Sequence, residues 1–404
     1  MATPLPLPAT AVRTDWLAVA AMFFAGLIAA LQVGKAAIAL PALSADLGLD
    51  LRSGGWLMAV FGVLGLFASM PAGALVARLG DRSLQVAGLA AMALGSALGS
   101  QIDSLAALLA TRALEGAGFL LFAVAGASVL QRLSRPQDRN AVFAIWSCYM
   151  PAGMAVALAT GAMLDGWRGY WELNAVLCAL AAVALRFGVR GAQAPVAATP
   201  WRQIARDALA VAGARGPLLL ALVFALYALQ FYALLSFLPT LLMQRMQVSA
   251  ADAGLLSAVA VGSNVIGNLS ATALLRRGAA RWALIALASA AMGASAVGAF
   301  ALGLPAIWVY ALCVLFSLAG GLLPASTIGG AAQLVPSPAL IAVAVGLLMQ
   351  GSYLGQVIGP SLFGSVVQAA GWPAASIPVA LAALGAIAAA FSLRRSFAGE
   401  TRRD

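Results

Sequence analysis

Three ionisable side chains lie deep inside long apolar runs of this 404-residue sequence, and their types and spacing limit the chemistry open to it. Lys35, the sole lysine, sits in LIAALQVGKAAIALPAL with Gln32 three residues ahead of it. Arg112 and Glu115 share another run, three residues apart, which puts both on one face of a helix. An ammonium beside an amide can hold a carboxylate or another small oxyanion. A carboxyl one turn from a guanidinium either stays ionised as its partner or, where desolvation prevails, takes up and releases a proton. Ionisable groups in apolar segments cost free energy, so they pair with one another or line a pathway. Other chemistry lacks its parts: there is no histidine, no buried acid pair, no serine elbow and no Walker motif. The chain is therefore expected not to be an enzyme, to need no cofactor or metal, and not to be driven by ATP. Cys148, Cys178 and Cys313 fall in apolar segments and read as small core residues rather than disulfide or zinc ligands.

The elements that must position these groups are transmembrane helices. With 63% hydrophobic and 9% charged residues, the composition is that of an all-α polytopic protein whose solvent is the lipid bilayer. Twelve runs are long enough to cross, near 16–40, 54–76, 84–101, 104–130, 141–163, 172–189, 217–240, 253–275, 282–302, 305–329, 340–363 and 374–392. The formal charge of +10 reflects topology and not nucleic acid: nearly all the arginines outside the runs fall on one face, and only Arg52, Arg168 and Arg245 on the other. Both termini are thereby expected in the cytoplasm, with the protein in a bacterial inner membrane. The first run is too long for a signal-peptide core and is expected to remain as a helix. In this topology Lys35 lies roughly 13 Å, and Glu115 roughly 16 Å, below the outer ends of their helices. At that depth Lys35 is more than two turns from the interface, which disfavours snorkelling.

An internal repeat organises the chain. At an offset of 198, Ala30-Leu31-Gln32, Leu40-Pro41 and Leu43 match Ala228-Leu229-Gln230, Leu238-Pro239 and Leu241. At 202, AGFLLFA from Ala117 matches AGGLLPA from Ala319, and at 205 Gly166-Trp167 matches Gly371-Trp372. Six crossings per half give both halves one orientation, and a parallel repeat of this kind places a substrate site near the bilayer midplane between them. The expected division is 1–189, a cytoplasmic linker 190–216, and 217–404. Within the linker, WRQIARDAL reads as an amphipathic helix on the membrane face, with Trp201, Ile204 and Leu209 inward and Arg202 and Arg206 toward head groups. The second half contributes Tyr227, Gln230, Phe231 and Tyr232, but has Ala233, Val314 and Ser317 where the first has Lys35, Arg112 and Glu115. Its side is neutral, polar and aromatic. Asn264, Asn268, Gln350 and Gln356 read as interhelical hydrogen-bonding groups, and Gly351, Gly355 and Gly359 as a close-packing stripe or a sliding surface.

Twelve crossings in two parallel six-helix halves resemble the major facilitator superfamily of secondary transporters. Gly73-Ala-Leu-Val-Ala77-Arg78-Leu79-Gly80-Asp81-Arg82 is similar to the family's motif between helices 2 and 3, and Arg112-Ala-Leu-Glu115-Gly116-Ala-Gly118 to its helix 4 motif. Asp165-Gly166-Trp167-Arg168 resembles the usual turn between helices 5 and 6. Two departures stand out: Ala77 replaces the loop acid, with Asp81 four residues late, and SCYMPAGMAVALATG matches the drug-antiporter helix 5 motif poorly. The resemblance implies gating by Gly73, Arg78, Gly80, Asp81 and Arg82. It also implies a central cavity lined by helices 1, 4, 7 and 10, across which Lys35 faces Glu115 or Arg112. The expected protein is a monomeric secondary active transporter moving a small organic or anionic solute by alternating access, coupled to protons. Gln32, Lys35, Arg112, Tyr227, Gln230 and Tyr232 are its expected substrate contacts and Glu115 its proton carrier. The alternative is a proton-driven exporter of a metabolite, siderophore or drug.

Overall fold

Lipid offers backbone N–H and C=O groups no partners, so a chain this apolar must close its hydrogen bonds within helices. The computed structural model of the protein describes residues 13–164, 166–188, 200–335 and 340–397, and its regular structure there is entirely helical. The first half comprises α1 (Trp16–Leu47), α2 (Leu51–Leu79), α3 (Asp81–Gly99), α4 (Leu105–Leu133), a 3-10 turn at Pro136–Asp138, α5 (Arg139–Ser147), α6 (Tyr149–Gly161) and α7 (Gly166–Gly188). After α8 (Trp201–Gly213) come α9 (Arg215–Met246), α10 (Ala250–Arg276), α11 (Arg281–Ala301), α12 (Ala306–Gly320), α13 (Leu322–Leu334), α14 (Ile341–Ala374) and α15 (Ser376–Phe397). The fifth and tenth expected crossings are each built from two pieces, α5 with α6 and α12 with α13. Among the described residues, ten spans have the length and apolarity to cross a membrane. The other two crossings, α3 and α14, pack inside the same bundle, α3 against α4 and α7, α14 against α2 and α9. Large apolar side chains such as Phe24, Phe67, Phe187 and Trp308 point outward, as lipid-facing groups do.

Helix ends differ from the expected ones where proline and glycine act. Helix α1 runs to Leu47 and α9 to Met246 because Pro41 and Pro239 are accommodated inside them. Helix α14 continues past its expected end, broken only at Gly371, whose φ of 77° an L side chain adopts reluctantly. The linker helix forms as expected; residues 189–199 and the side chains of Trp201 and Ile204 lie outside the described residues, while Leu209 is exposed.

The repeat is written into the structure as well as the sequence. Left-handed glycines recur at Gly80 and Gly278, and at Gly166 and Gly371. The Trp167 indole donates to Asp46 Oδ2 at 2.9 Å, and at the matching place the Trp372 indole donates to Gln244 Oε1 at 2.9 Å. Met92 lies against Gly118 just as Met292 lies against Gly320. Twelve crossings bring α1's start and α15's end to one face, called here the terminal face.

The halves meet through α2 and α14, α1 and α9, and α6 and α10. Gly55 and Gly62 of α2 let α14 approach at Pro360 and Gln356. The stripe Gly351, Gly355 and Gly359 faces Ala221, Ala225 and Leu229 of α9 in its own half. It is a packing face; glycines of α2 line the contact between halves.

Candidate functional site

Lys35, Glu115 and Arg112 converge in one buried cluster, with exposures of 0%, 0% and 1%. Lys35 Nζ donates to Glu115 Oε1 at 2.7 Å and to Ser96 Oγ at 2.7 Å. Arg112 Nη1 pairs with Glu115 Oε2 and donates to the Gln32 carbonyl at 2.7 Å. Ser96 Oγ also lies 3.0 Å from Gln32 Oε1 and 2.9 Å from Glu115 Oε1, while Gln32 Nε2 donates to Cys178 Sγ at 3.1 Å. Both carboxylate oxygens are thus occupied, and two cations share one anion, leaving the cluster with a formal surplus of +1.

Small residues make this packing possible. A Cβ on Gly95 would stand 2.7 Å from Glu115 Cγ, so the missing side chain on α3 is the space the carboxylate arm fills. Gly116 lets α4 close onto the Phe61 backbone, and the Phe61 ring carries the Arg112 guanidinium 4.7 Å above it. On the other side, the Trp171 ring lies 4.5 Å from Lys35 Nζ. Cation–π contacts of this kind favour cations removed from water.

The cluster corrects the expectation that Lys35 faces Glu115 across a central cavity. The pair forms, but it is packed among α1, α3, α4 and α7 within the first half. Only Arg112 of the three reaches the space between halves, a residual cavity of about 10 Å³ lined also by Met58, Met154, Tyr232, Ser236 and Gln356. Tyr232 is therefore beside Arg112 as expected. Tyr227 and Gln230 are not: Tyr227 packs with Phe224, Phe231 and Gly320, and Gln230 Nε2 bonds the Leu226 carbonyl of its own helix. Both are held inside the second half, because Gln230 occupies the place of Gln32, which itself turns away from the central space.

Ser96 and Trp171 were not legible as site residues. Ser96 lies in an Ala/Gly/Ser-rich helix and Trp171 beside a turn motif, with no spacing that ties either to Lys35. Asn264 and Asn268 act as interhelical bonds: Asn264 donates to Ser317 O at 3.0 Å and Asn268 to Ser147 O at 3.3 Å. Gln356 combines both settings, lining the central space and lying against Gly62.

In the expected gating loop, Gly80 makes the left-handed turn and Asp81 opens α3, fully buried. Arg132 Nη2 and Nε reach Asp81 Oδ2 at 2.6 and 2.9 Å, and Ser128 Oγ lies 3.2 Å from it. The displaced acid thus ties the loop to the end of α4. The Arg82 backbone N–H donates to Asp81 Oδ1 at 2.7 Å. The side-chain settings of Gly73 and Arg78 lie outside the described residues.

Two repeated helical halves packed around a small inter-half space, with one cation of a buried charge cluster, Arg112, at its wall, have the architecture of a membrane transporter. The family model "Major Facilitator Superfamily" matches residues 22–348, and the chain belongs to that family. It is not an enzyme family. Similarity to the "Major facilitator superfamily multidrug transporter mfsC" of Aspergillus fumigatus is 28% identity over 156 residues, 38% of this chain and 30% of that protein. The chain thus aligns with under a third of that relative's length. A bacterial homologue of the human lysosomal transporter Spinster, solved in an inward-facing and occupied conformation, shares the fold with a TM-score of 0.72 and 16% identity, over 95% of this chain and 96% of that one.

Proposed function

We propose that this protein moves a small organic anion across the membrane together with a proton, by rocking its two halves about the central space. Arg112 is the anion contact, Glu115 the proton carrier, and Lys35 and Gln32 hold the pair in register. The observation that carries this reading is the sharing of Glu115 by two cations, of which only Arg112 touches the space between the halves. A substrate carboxylate arriving at Arg112 takes over part of the work of Glu115. Glu115 can then accept a proton, and the site holds two cations, one anion and one neutral acid. Empty and doubly loaded sites thereby carry the same net charge of +1, whereas anion alone would bring it to zero and proton alone to +2. Keeping the buried charge constant avoids a large change in desolvation cost through the cycle, which favours one proton per monoanion. The protein acts as a monomer in a bacterial inner membrane with both termini cytoplasmic, and its working units are residues 1–189 and 217–404 joined by 190–216.

The test is flux of radiolabelled benzoate, as a model monoanion, into proteoliposomes. An imposed pH gradient should drive accumulation, and a potassium diffusion potential alone should not. Glu115→Gln should retain counterflow exchange and lose accumulation. Potential-driven uptake without a pH gradient would refute the one-to-one proton reading. The second reading, an exporter of metabolites, siderophores or drugs, draws on the multidrug relative and the apolar walls Met58, Met154 and Leu235. Transport of neutral or cationic compounds that survives Lys35→Ala would favour it.

A further inference from the structure

Arg112 lines the central space, yet only one corner of its guanidinium is spent inside the first half. Nη1 takes both of its partners, the Glu115 carboxylate and, at 2.7 Å, the Gln32 carbonyl. Nε is buried and makes no hydrogen bond, and among the described residues Nη2 makes none either. Nε–H and the Nη2 group lie along one side of the planar guanidinium, and that side edge is a fork matched to the two oxygens of a carboxylate.

Glu115 does not take this fork for a geometric reason. Its Oε2 meets Nη1, while its Oε1 is held at 2.7 Å by Lys35 Nζ and at 2.9 Å by Ser96 Oγ. A carboxylate pulled toward Lys35 offers Arg112 one oxygen only, and the fork stays open. A buried N–H left without an acceptor is costly, so the edge calls for one. The other residues on the wall bring no competing charge: Met58, Met154 and Leu235 are apolar, and Tyr232, Ser236 and Gln356 are neutral. The edge is also held in place, because two acceptors pin Nη1 and the Phe61 ring lies 4.7 Å from the guanidinium carbon. A donor pair fixed before the ligand arrives has little ordering left to do on binding.

We propose that the Nε–Nη2 edge of Arg112 is the carboxylate-reading element of the substrate site, taking a planar RCOO⁻ group side-on while Nη1 keeps Glu115. The inference rests on the anion reading above and narrows it to organic carboxylates, in preference to sulfonates. A sulfonate is a weaker acceptor, and when two of its oxygens sit in the fork its third stands out of the guanidinium plane, among apolar walls. The central space, about 10 Å³ here, must widen as the halves part before the body of such a ligand can follow its acid group. Docking at this edge leaves the bond to Glu115 intact, so the anion binds first and the proton second.

Titration calorimetry on the purified, full-length protein tests this with benzoate, benzenesulfonate and benzamide. Benzoate should bind wild type about tenfold more tightly than benzenesulfonate, the scale of one well-placed hydrogen bond. Arg112→Lys keeps a point charge and loses the fork, so that preference should fall to within about twofold while benzoate still outbinds benzamide. Equal binding of benzoate and benzenesulfonate by wild type, with benzamide weaker, overturns the carboxylate edge and leaves the anion reading standing. So does an undiminished preference in Arg112→Lys. Benzamide binding wild type as tightly as benzoate, or no binding of any probe, overturns both. Should Arg112→Lys not fold, the wild-type comparison decides alone, and equal binding of the two acids refutes the edge.

Discussion

Glu115→Gln and Lys35→Met disturb the same 2.7 Å ion pair from opposite ends, and the structure predicts unequal costs. At that distance, with an effective dielectric constant of about 20, the Coulomb attraction is about 6 kcal/mol before desolvation is counted. In Glu115→Gln both Lys35 and Arg112 lose their anion, and the cluster is left with two unpaired cations. Removing one partner of a buried pair costs about 3–5 kcal/mol because the remaining charge stays desolvated. In Lys35→Met, Glu115 keeps Arg112 and Ser96, the cluster becomes neutral, and the loss is close to one charged hydrogen bond, about 1.5–3 kcal/mol. The double variant leaves a lone Arg112 and should be more stable than Glu115→Gln alone. Denaturant titration in mixed micelles, followed by tryptophan fluorescence, gives the order: wild type, Lys35→Met, double variant, Glu115→Gln. A Glu115→Gln protein as stable as Lys35→Met would show that Glu115 is not the common counter-ion and would remove the basis for the charge-balance argument.

Three further outcomes follow from other contacts. Asp81→Asn should lower stability by about 1.5–3 kcal/mol, because it removes the negative charge that accepts both bonds from the Arg132 guanidinium at a buried position; thermal unfolding of the purified protein reads it. Gly355→Ala should cost about 1–3 kcal/mol, since the new methyl would meet the Ala225 carbonyl and stand 2.5 Å from Leu229 N, and backbone cannot step aside; the yield of monodisperse protein on size exclusion would fall with it. Trp167→Phe should destabilise about twice as much as Trp372→Phe, because equivalent indole bonds of 2.9 Å end on the Asp46 carboxylate in one half and on the neutral Gln244 amide in the other. Equal unfolding midpoints for those two variants would contradict the assignment.

Much of this protein could be read along the chain because lipid leaves few choices. Apolar length dictated the helices, and the offsets of 198, 202 and 205 the repeat, which the paired left-handed glycines reproduce. The three charges in the core were legible as functional candidates because each is costly where it stands. What the sequence could not carry is direction. A helix pattern says that Gln32, Lys35, Tyr227 and Gln230 are buried, but not which neighbour each faces, since helices α1 and α9 are apolar nearly all round and no polar stripe marks a cavity side. Only tertiary packing decided that the Gly95 gap draws Glu115 toward α3, that Trp171 closes over Lys35, and that Arg112 alone of the three charges meets the space between halves.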